Sequence, residues 1–238
     1  PMPPPTLILA GGTARRMGGG DKPLLTLGGK TIIQRIIDTL DTGVTAATNT
    51  RITDTPDTRI TDTPDTRITD TPDTRITDAT TTPYIAISAN GDAARFQAFG
   101  LPVLDDGPFA DHGPLAGVLA GLEWAAGLGA ESLLTIPGDT PFVPSGLAAA
   151  LTPAPSCARS GGRMHPLVAL WPVLCRAELR TFLQTPGGRQ VSRFTEWISC
   201  RPVDFPIDVC DPFLNVNTPD ELARARDLAK RIGTGDDR

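Results

Sequence analysis

The chain has 238 residues, of which 39% are hydrophobic and 21% charged, with a formal net charge of −5. That length supports one well-buried domain or at most two small ones, and the acidic balance leaves no basic face for DNA or RNA. No apolar run approaches the ~20 residues of a membrane span, and the start of the chain lacks the charged and long apolar regions of a secretion signal. A cytoplasmic protein without nucleic-acid or membrane partners is therefore expected. Cys157, Cys175, Cys200 and Cys210 are widely spaced, with no C-x-x-C and neither histidine close in sequence. That pattern reads as free buried thiols rather than a zinc site or a disulfide framework.

Thr6–Ala10 is predicted as a first strand, buried on both faces because its residues do not alternate. Ile32, Ile33, Ile36, Ile37 and Leu40 recur at helical spacing, so a helix is expected over Thr31–Leu40, opened by Lys30-Thr31. RITDTPDT then occurs at 51–58, 59–66 and 67–74, and a fourth copy begins at Arg75. A proline every eighth residue removes backbone donors, the Thr/Asp content offers no apolar face, and solenoid units need ~20 or more residues. The stretch 42–83 is read as a surface insertion made by duplication. Lengthening a loop from ~14 to ~42 residues costs only about 1 kcal/mol of closure entropy.

Beyond it, Tyr84–Ser88 is expected as a strand, Ala93–Phe99 as a short helix, and Pro102–Leu104 as a strand ending at Asp105-Asp106-Gly107. A helix follows over Gly113–Ala126, then a strand over Ser132–Ile136 closed by Gly138-Asp139. The later third reads as mixed: strand-like at Pro166–Trp171, helical at Arg176–Leu183 and Gln190–Trp197, strand at Arg201–Phe205. A last helix from Pro219 to about Arg231 is opened by Thr218 with Glu221 three residues on, a capping box. Strands each followed by a helix, or a loop leading to one, point to an α/β fold: a three-layer αβα, mainly parallel, Rossmann-like sheet. The whole is one domain over 6–232, interrupted by the 42–83 insertion.

In open parallel sheets ligands bind beyond the carboxyl ends of the strands. Here those ends are Gly11-Gly12, Ser88–Asn90, Asp105-Asp106 and Gly138-Asp139, where glycine, polar and acidic residues gather. The stretch 6–27 is the most suggestive. A buried strand ends in glycines that let backbone N–H groups approach a ligand, and Arg15, Arg16 and Lys22 follow as cations suited to a polyphosphate. Gly29-Lys30-Thr31 is not a P-loop, because the glycine needed five positions earlier is Leu24. No G-x-G-x-x-G follows the first strand, no G-x-S-x-G is present, and His112 and His165 form no metal or triad spacing. Taken singly, Asp139 and Asp106 read as well as turn or cap residues, and Asn90-Gly91 is a common turn dipeptide.

L-A-G-G-x-x-x-R-M-G-G-x-D-K-x-L-L, read here over 9–25, resembles the signature of nucleotidyltransferases that couple an NTP to a phosphorylated small molecule. Among these the chain is similar to the molybdenum cofactor guanylyltransferase family, where LAGG is usual; the cytidylyl branch more often reads LAAG. The resemblance continues through SAN at Ser88–Asn90, VLDD at Val103–Asp106, GPLAG at Gly113–Gly117 and PGDTPFVP at Pro137–Pro144. HPLVAL at His165–Leu170 and NVNTPDEL at Asn215–Leu222 extend it over nearly all of the chain but the repeats and termini.

The resemblance implies GMP transfer from GTP to molybdopterin with Mg²⁺ as the metal. It places Leu9, Ala10 and Gly11 along the guanine and phosphates through their backbone, Lys22 on the phosphates, and Asn90 or Ser88 with Asp106 near the nucleoside. Asp139 would hold Mg²⁺; Asn215 and Asn217 would complete the metal or pterin side, and His165 would lie towards the pterin. Arg16 and Lys22 would stabilise charge on the departing pyrophosphate. Arg163 and Arg189 read equally as pterin-phosphate contacts or as solvated arginines. A monomer that hands its product to molybdoenzymes or their chaperones is expected. The alternatives are a sister enzyme using CTP or a sugar phosphate, and a non-catalytic nucleotide-binding protein of the same fold.

Overall fold

The computed structural model describes residues 3–11, 21–49 and 84–233, the side chains of 41–49 and 233 excepted. The chain builds β1 (Thr6–Leu9), β2 (Thr26–Leu27), β3 (Lys30–Thr31), α1 (Ile32–Asn49), β4 (Ile85–Ser88), β5 (Val103–Leu104), α2 (Pro114–Gly127) and β6 (Ser132–Pro137). There follow α3 (Leu147–Leu151), β7 (Ser156–Ser160), β8 (Arg163–Pro172), α4 (Arg176–Leu183), α5 (Val191–Trp197), β9 (Arg201–Phe205) and α6 (Pro219–Gly233). Seven strands form one sheet in the order β5-β4-β1-β6-β8-β7-β9, and β2-β3 form a separate antiparallel pair. In the large sheet β8 runs against both neighbours while the other strands share one direction. The mainly parallel α/β expectation is met.

The two sides of β1 explain its unbroken apolar run. Ile8 joins a core with Ile32, Ile33 and Ile36 of α1, Leu147 and Leu151 of α3 and Ala225 of α6. Leu7 joins the opposite core with Leu115, Val118 and Leu122 of α2, Phe182 of α4 and Phe194 of α5. Successive residues of a strand point to opposite faces, so a strand covered on both faces must be apolar throughout. The result is three layers. Helix α2 lies close on the sheet because Gly121 has no side chain: a Cβ there would come 2.9 Å from Leu133 Cδ2.

Several boundaries differ from the sequence reading. Lys30-Thr31 is strand β3 rather than the start of the helix, although the Thr31 hydroxyl still accepts from Gln34 N at 3.2 Å and so caps α1. Helix α1 continues to Asn49, so residues 42–49 are helical and do not belong to an excursion. The repeats themselves lie outside the described residues. Ala93–Phe99 is a 3-10 helix, and β7 and α3 were not expected at all. All four cysteines are free; Cys157 and Cys175 are buried, whereas Cys200 and Cys210 are partly exposed. Burial pushes the Cys175 thiol up to about 12.

The capping box forms as read. Glu221 N donates to Thr218 Oγ1 at 3.2 Å, and Glu221 Oε2 accepts from the backbone of Thr218 at 3.0 Å and of Asn217 at 2.8 Å. This ties down the amino end of α6, and with it Asn217.

Candidate active site

Register places the strand ends side by side. Leu9 stands opposite Ser88 of β4 and Pro137 of β6, and Ser88 opposite Leu104 of β5. With strands ~4.8 Å apart, the residues that follow each strand emerge in one row. They open into a cleft of about 420 Å³ lined by, among others, Leu9, Gly11, Lys22, Asn90, Asp106 and Asp139. Six of the expected site residues thus meet in one place. Ala10 does not line it: its side chain is buried, and its N–H donates to Ser88 O at 2.8 Å. Arg16 lies outside the described residues.

The corner around Lys22 and Asp139 is assembled by close backbone approach. Gly138 N donates to Leu9 O at 2.9 Å, and a Cβ on Gly138 would sit 2.8 Å from Pro23 Cγ. Only glycine lets buried Pro23 pack there, and Pro23 fixes the single 3-10 turn Lys22–Leu24. Lys22 Nζ donates to Asn217 Oδ1 and stands 3.9 Å from Asp139 Oδ2. The turn after β6 is closed by Thr140 Oγ1 donating to Pro137 O at 2.6 Å, and Val216 N donates to Asp139 O at 3.0 Å. Fully buried Phe213 and Val216 anchor that last segment, which brings Asn215 to the cleft. Burial raises the Asp139 carboxyl above its ordinary value; Lys22 opposes the shift and Glu221 adds to it. Asp139 is therefore an under-neutralised carboxylate facing a cleft.

On the other side Asn90 clamps Asp106. Asn90 Nδ2 donates to Asp106 Oδ2 at 2.7 Å, and Asp106 N donates to Asn90 Oδ1 at 3.0 Å. Ser88, almost fully buried, reaches Asp106 Oδ1 at 3.5 Å. Burial raises the Asp106 carboxyl, hydrogen bonds from Asn90 and Ser88 hold it down, and Asp105 pushes it up. Of the two polar residues in the SAN run, Asn90 is the exposed one. Gly117 of α2 admits this arrangement, since a Cβ there would collide with Ser88 Oγ and lie 3.3 Å from Asp106 Oδ1.

The far wall comes from β8: Arg163, Met164 and His165 line the cleft. Ser160 Oγ donates to Asp211 Oδ1 at 2.7 Å and accepts from His165 Nε2 at 2.8 Å. In that order the serine proton is committed to the carboxylate, so the trio is no nucleophilic triad. Burial lowers the His165 pKa, while Asp211 opposes the shift. Arg189 does not join Arg163; it lines a neighbouring pocket with His112. Sequence reasoning missed Glu221 as part of the site's field and the role of Gly117. The capping box was legible, but nothing local announced that α6 begins beside Asp139.

Taken together, the row of strand ends, the half-buried carboxylate beside a lysine and the glycine-lined approach fit a nucleotidyltransferase-type site. The MobA-like NTP transferase domain family matches residues 6–200, and the chain belongs to that family. It is 44% identical over 219 residues to a molybdenum cofactor guanylyltransferase of Acidiphilium cryptum, covering 92% of each chain. A protein of the same name from Rhodopseudomonas palustris is 39% identical over 240 residues, covering 97% of this chain and 94% of that one. Among solved structures, molybdopterin-guanine dinucleotide biosynthesis protein A from Archaeoglobus fulgidus superposes with a TM-score of 0.59 at 17% identity, over 95% and 98% of the two chains. A nucleotidyl transferase from Methanothermobacter gives 0.60 at 15% identity, over 95% and 97%. At these identities the superpositions show the fold.

Proposed function

We propose that this chain transfers GMP from GTP to molybdopterin, releasing pyrophosphate. The observation that carries the reading is the meeting of Lys22, Asp139 and the Asn90–Asp106 clamp in one cleft, in a chain 44% identical to a relative named for that activity. A terminal phosphate oxygen of the acceptor attacks the α-phosphorus of GTP. The new P–O bond forms as the bond to the β-phosphate oxygen breaks, and pyrophosphate leaves with the electron pair. The attacking phosphate is already anionic, so neither a protein nucleophile nor a strong base is needed, only positioning and charge neutralisation.

Lys22 stands where it stabilises charge gathering on the pyrophosphate, and Asn217 holds its ammonium in place. Asn90 offers an exposed amide at the nucleoside side, and Gly11 an open backbone beside the phosphates. The donor set fits Mg²⁺. Asp139 is a half-buried hard oxygen donor with, among the described residues, Lys22 as its cation at 3.9 Å. Among the described residues no group of three acidic, histidine or cysteine side chains could bind a metal unaided, as suits an ion held by one carboxylate plus phosphates and water. When bound there, Mg²⁺ supplies Lewis-acid neutralisation of the phosphate oxygens. Among the described residues no helix is long and apolar enough to cross a membrane; a cytoplasmic monomer that passes its product to molybdoenzymes or their chaperones suits this reading.

The test is incubation of the full chain with Mg²⁺, molybdopterin and each NTP in turn. Formation of the dinucleotide and pyrophosphate from GTP is expected; product from CTP and not GTP would overturn the guanylyl assignment.

A further inference from the structure

Arg95 lies outside the cleft yet touches both of its sides. It belongs to the 3-10 helix Ala93–Phe99, whose first turn is capped by Asp92 Oδ1 accepting from Ala94 N at 2.9 Å. Fully buried Phe96 anchors that helix, and the Arg95 guanidinium lies 4.9 Å over its ring. Arg95 Nη2 donates to Asn90 O at 2.8 Å and Nη1 to Asp92 O at 2.6 Å. The remaining nitrogen, Nε, is 3.0 Å from Asp21 Oδ2. Its N–H is not aligned on an acceptor, so this contact is an ion pair rather than a directed hydrogen bond. Both side chains are about three-quarters covered, at 24% and 22% exposure.

Asp21 immediately precedes Lys22, and its carbonyl accepts from Leu24 N at 3.1 Å, which starts the turn that presents the lysine. Asn90 is the residue that clamps Asp106. One guanidinium therefore joins the turn carrying the phosphate-side cation to the turn carrying the nucleoside-side amide. We propose that Arg95 is a positioning residue of this site: it clasps the Asp21–Lys22 turn to the Asn90 turn, so that Lys22 and the Asn90–Asp106 pair are held at a fixed separation across the bound nucleotide. The proposal rests on the nucleotidyl-transfer reading but not on which base is used. Lysine could not replace it, because a point charge cannot hold two carbonyls and a carboxylate in a planar fork.

The test compares Asp21→Asn, Arg95→Met, Arg95→Lys and the Asp21→Asn/Arg95→Met double variant in the full chain. Nucleotide and acceptor KM, kcat, calorimetric nucleotide binding and thermal midpoints are measured for each. A clasp of two charge-assisted hydrogen bonds and one ion pair should raise nucleotide KM and Kd on the order of tenfold when Arg95 is lost. Acceptor KM should stay within about twofold, the double variant should be no worse than Arg95→Met, and Arg95→Lys should fail to rescue. Nucleotide KM and Kd unchanged in Arg95→Met, losses that multiply in the double variant, full function of Arg95→Lys, or losses that follow a fall in thermal midpoint would each overturn it. The measurements are run with both GTP and CTP. Coupling seen only with CTP would sink the guanylyl assignment and leave the clasp standing; no coupling with either nucleotide would sink the clasp.

Discussion

At the carboxyl ends of β5 and β6, Asp106 and Asp139 are half-buried carboxylates without full counter-charge, whereas in the β7–β9 half Arg159, Asp204, Ser160, His165 and Asp211 all have partners. On the first side, burial raises both Asp106 and Asp139. On the second, Arg159 and Asp204 form a two-pronged pair at 2.6 Å on exposed surface, and Ser160, His165 and Asp211 close a short circuit of hydrogen bonds. Both halves are covered by helices and share the same two cores. The difference lies in what each leaves unsatisfied. A carboxylate buried without full compensation costs folding free energy, and such a cost is tolerated where a ligand or ion supplies the missing partner. Under the proposed function, the half with Asp106 and Asp139 is the part that the substrate completes.

The sharpest way to break this contrast is to remove the charged groups of the cleft. Asp139→Asn and Lys22→Met should each lower kcat by about 10²–10³-fold, the range for losing one group that stabilises developing charge. Steady-state kinetics on folded protein checks this, and near-normal Mg²⁺-dependent turnover of either variant would remove the mechanism. Next is Gly117→Ala. The added methyl meets Ser88 Oγ and Asp106, so the variant should lose about 1–3 kcal/mol of stability and bind nucleotide more weakly. Gly127→Ala in the same helix meets nothing within 4 Å and should cost neither, as paired denaturant titrations would reveal.

Asp106 gives a pH signature. Its folded pKa is raised above the ordinary 3.8, so the native state holds the proton more tightly than the unfolded chain. Its contribution to stability is complete below 3.8 and is lost as pH rises through the raised value. In Asp106→Asn the thermal midpoint should therefore fall less over that window than in the parent; equal slopes would show that burial of Asp106 carries no such cost. Asp204→Asn, by contrast, breaks a solvated pair and should leave both turnover and the thermal midpoint where they were. Smallest of all, deleting Arg51–Thr74 should leave transfer activity near that of the full chain, and a large loss would make the repeats part of the machinery.

The sequence alone determined the features with a local cause. The apolar run of β1, the 3.6-residue spacing of Ile32–Leu40, the capping box at Thr218 and the glycine-ended strand are fixed by neighbours within a few residues. So are the strand-end positions of Asn90, Asp106 and Asp139, whereas their joining with Lys22 in one expected site came from the family resemblance over 9–25. Where local signals were weak the reading slipped. Thr42, Gly43 and Thr45 are poor helix formers, yet α1 runs through them, and β7 (SCARS) has no apolar period to announce it and owes its burial to β8 and β9.

The tertiary structure decided everything that depends on two distant segments meeting. Register sets Leu104, Ser88, Leu9 and Pro137 abreast; the start of α6 brings Asn217 to Lys22 across 195 residues; and Arg95 reaches Asp21. Composition and spacing cannot encode such meetings, because they follow from which faces pack together and how closely glycine lets them approach. A residue's chemistry was legible in the chain, but its partner was not.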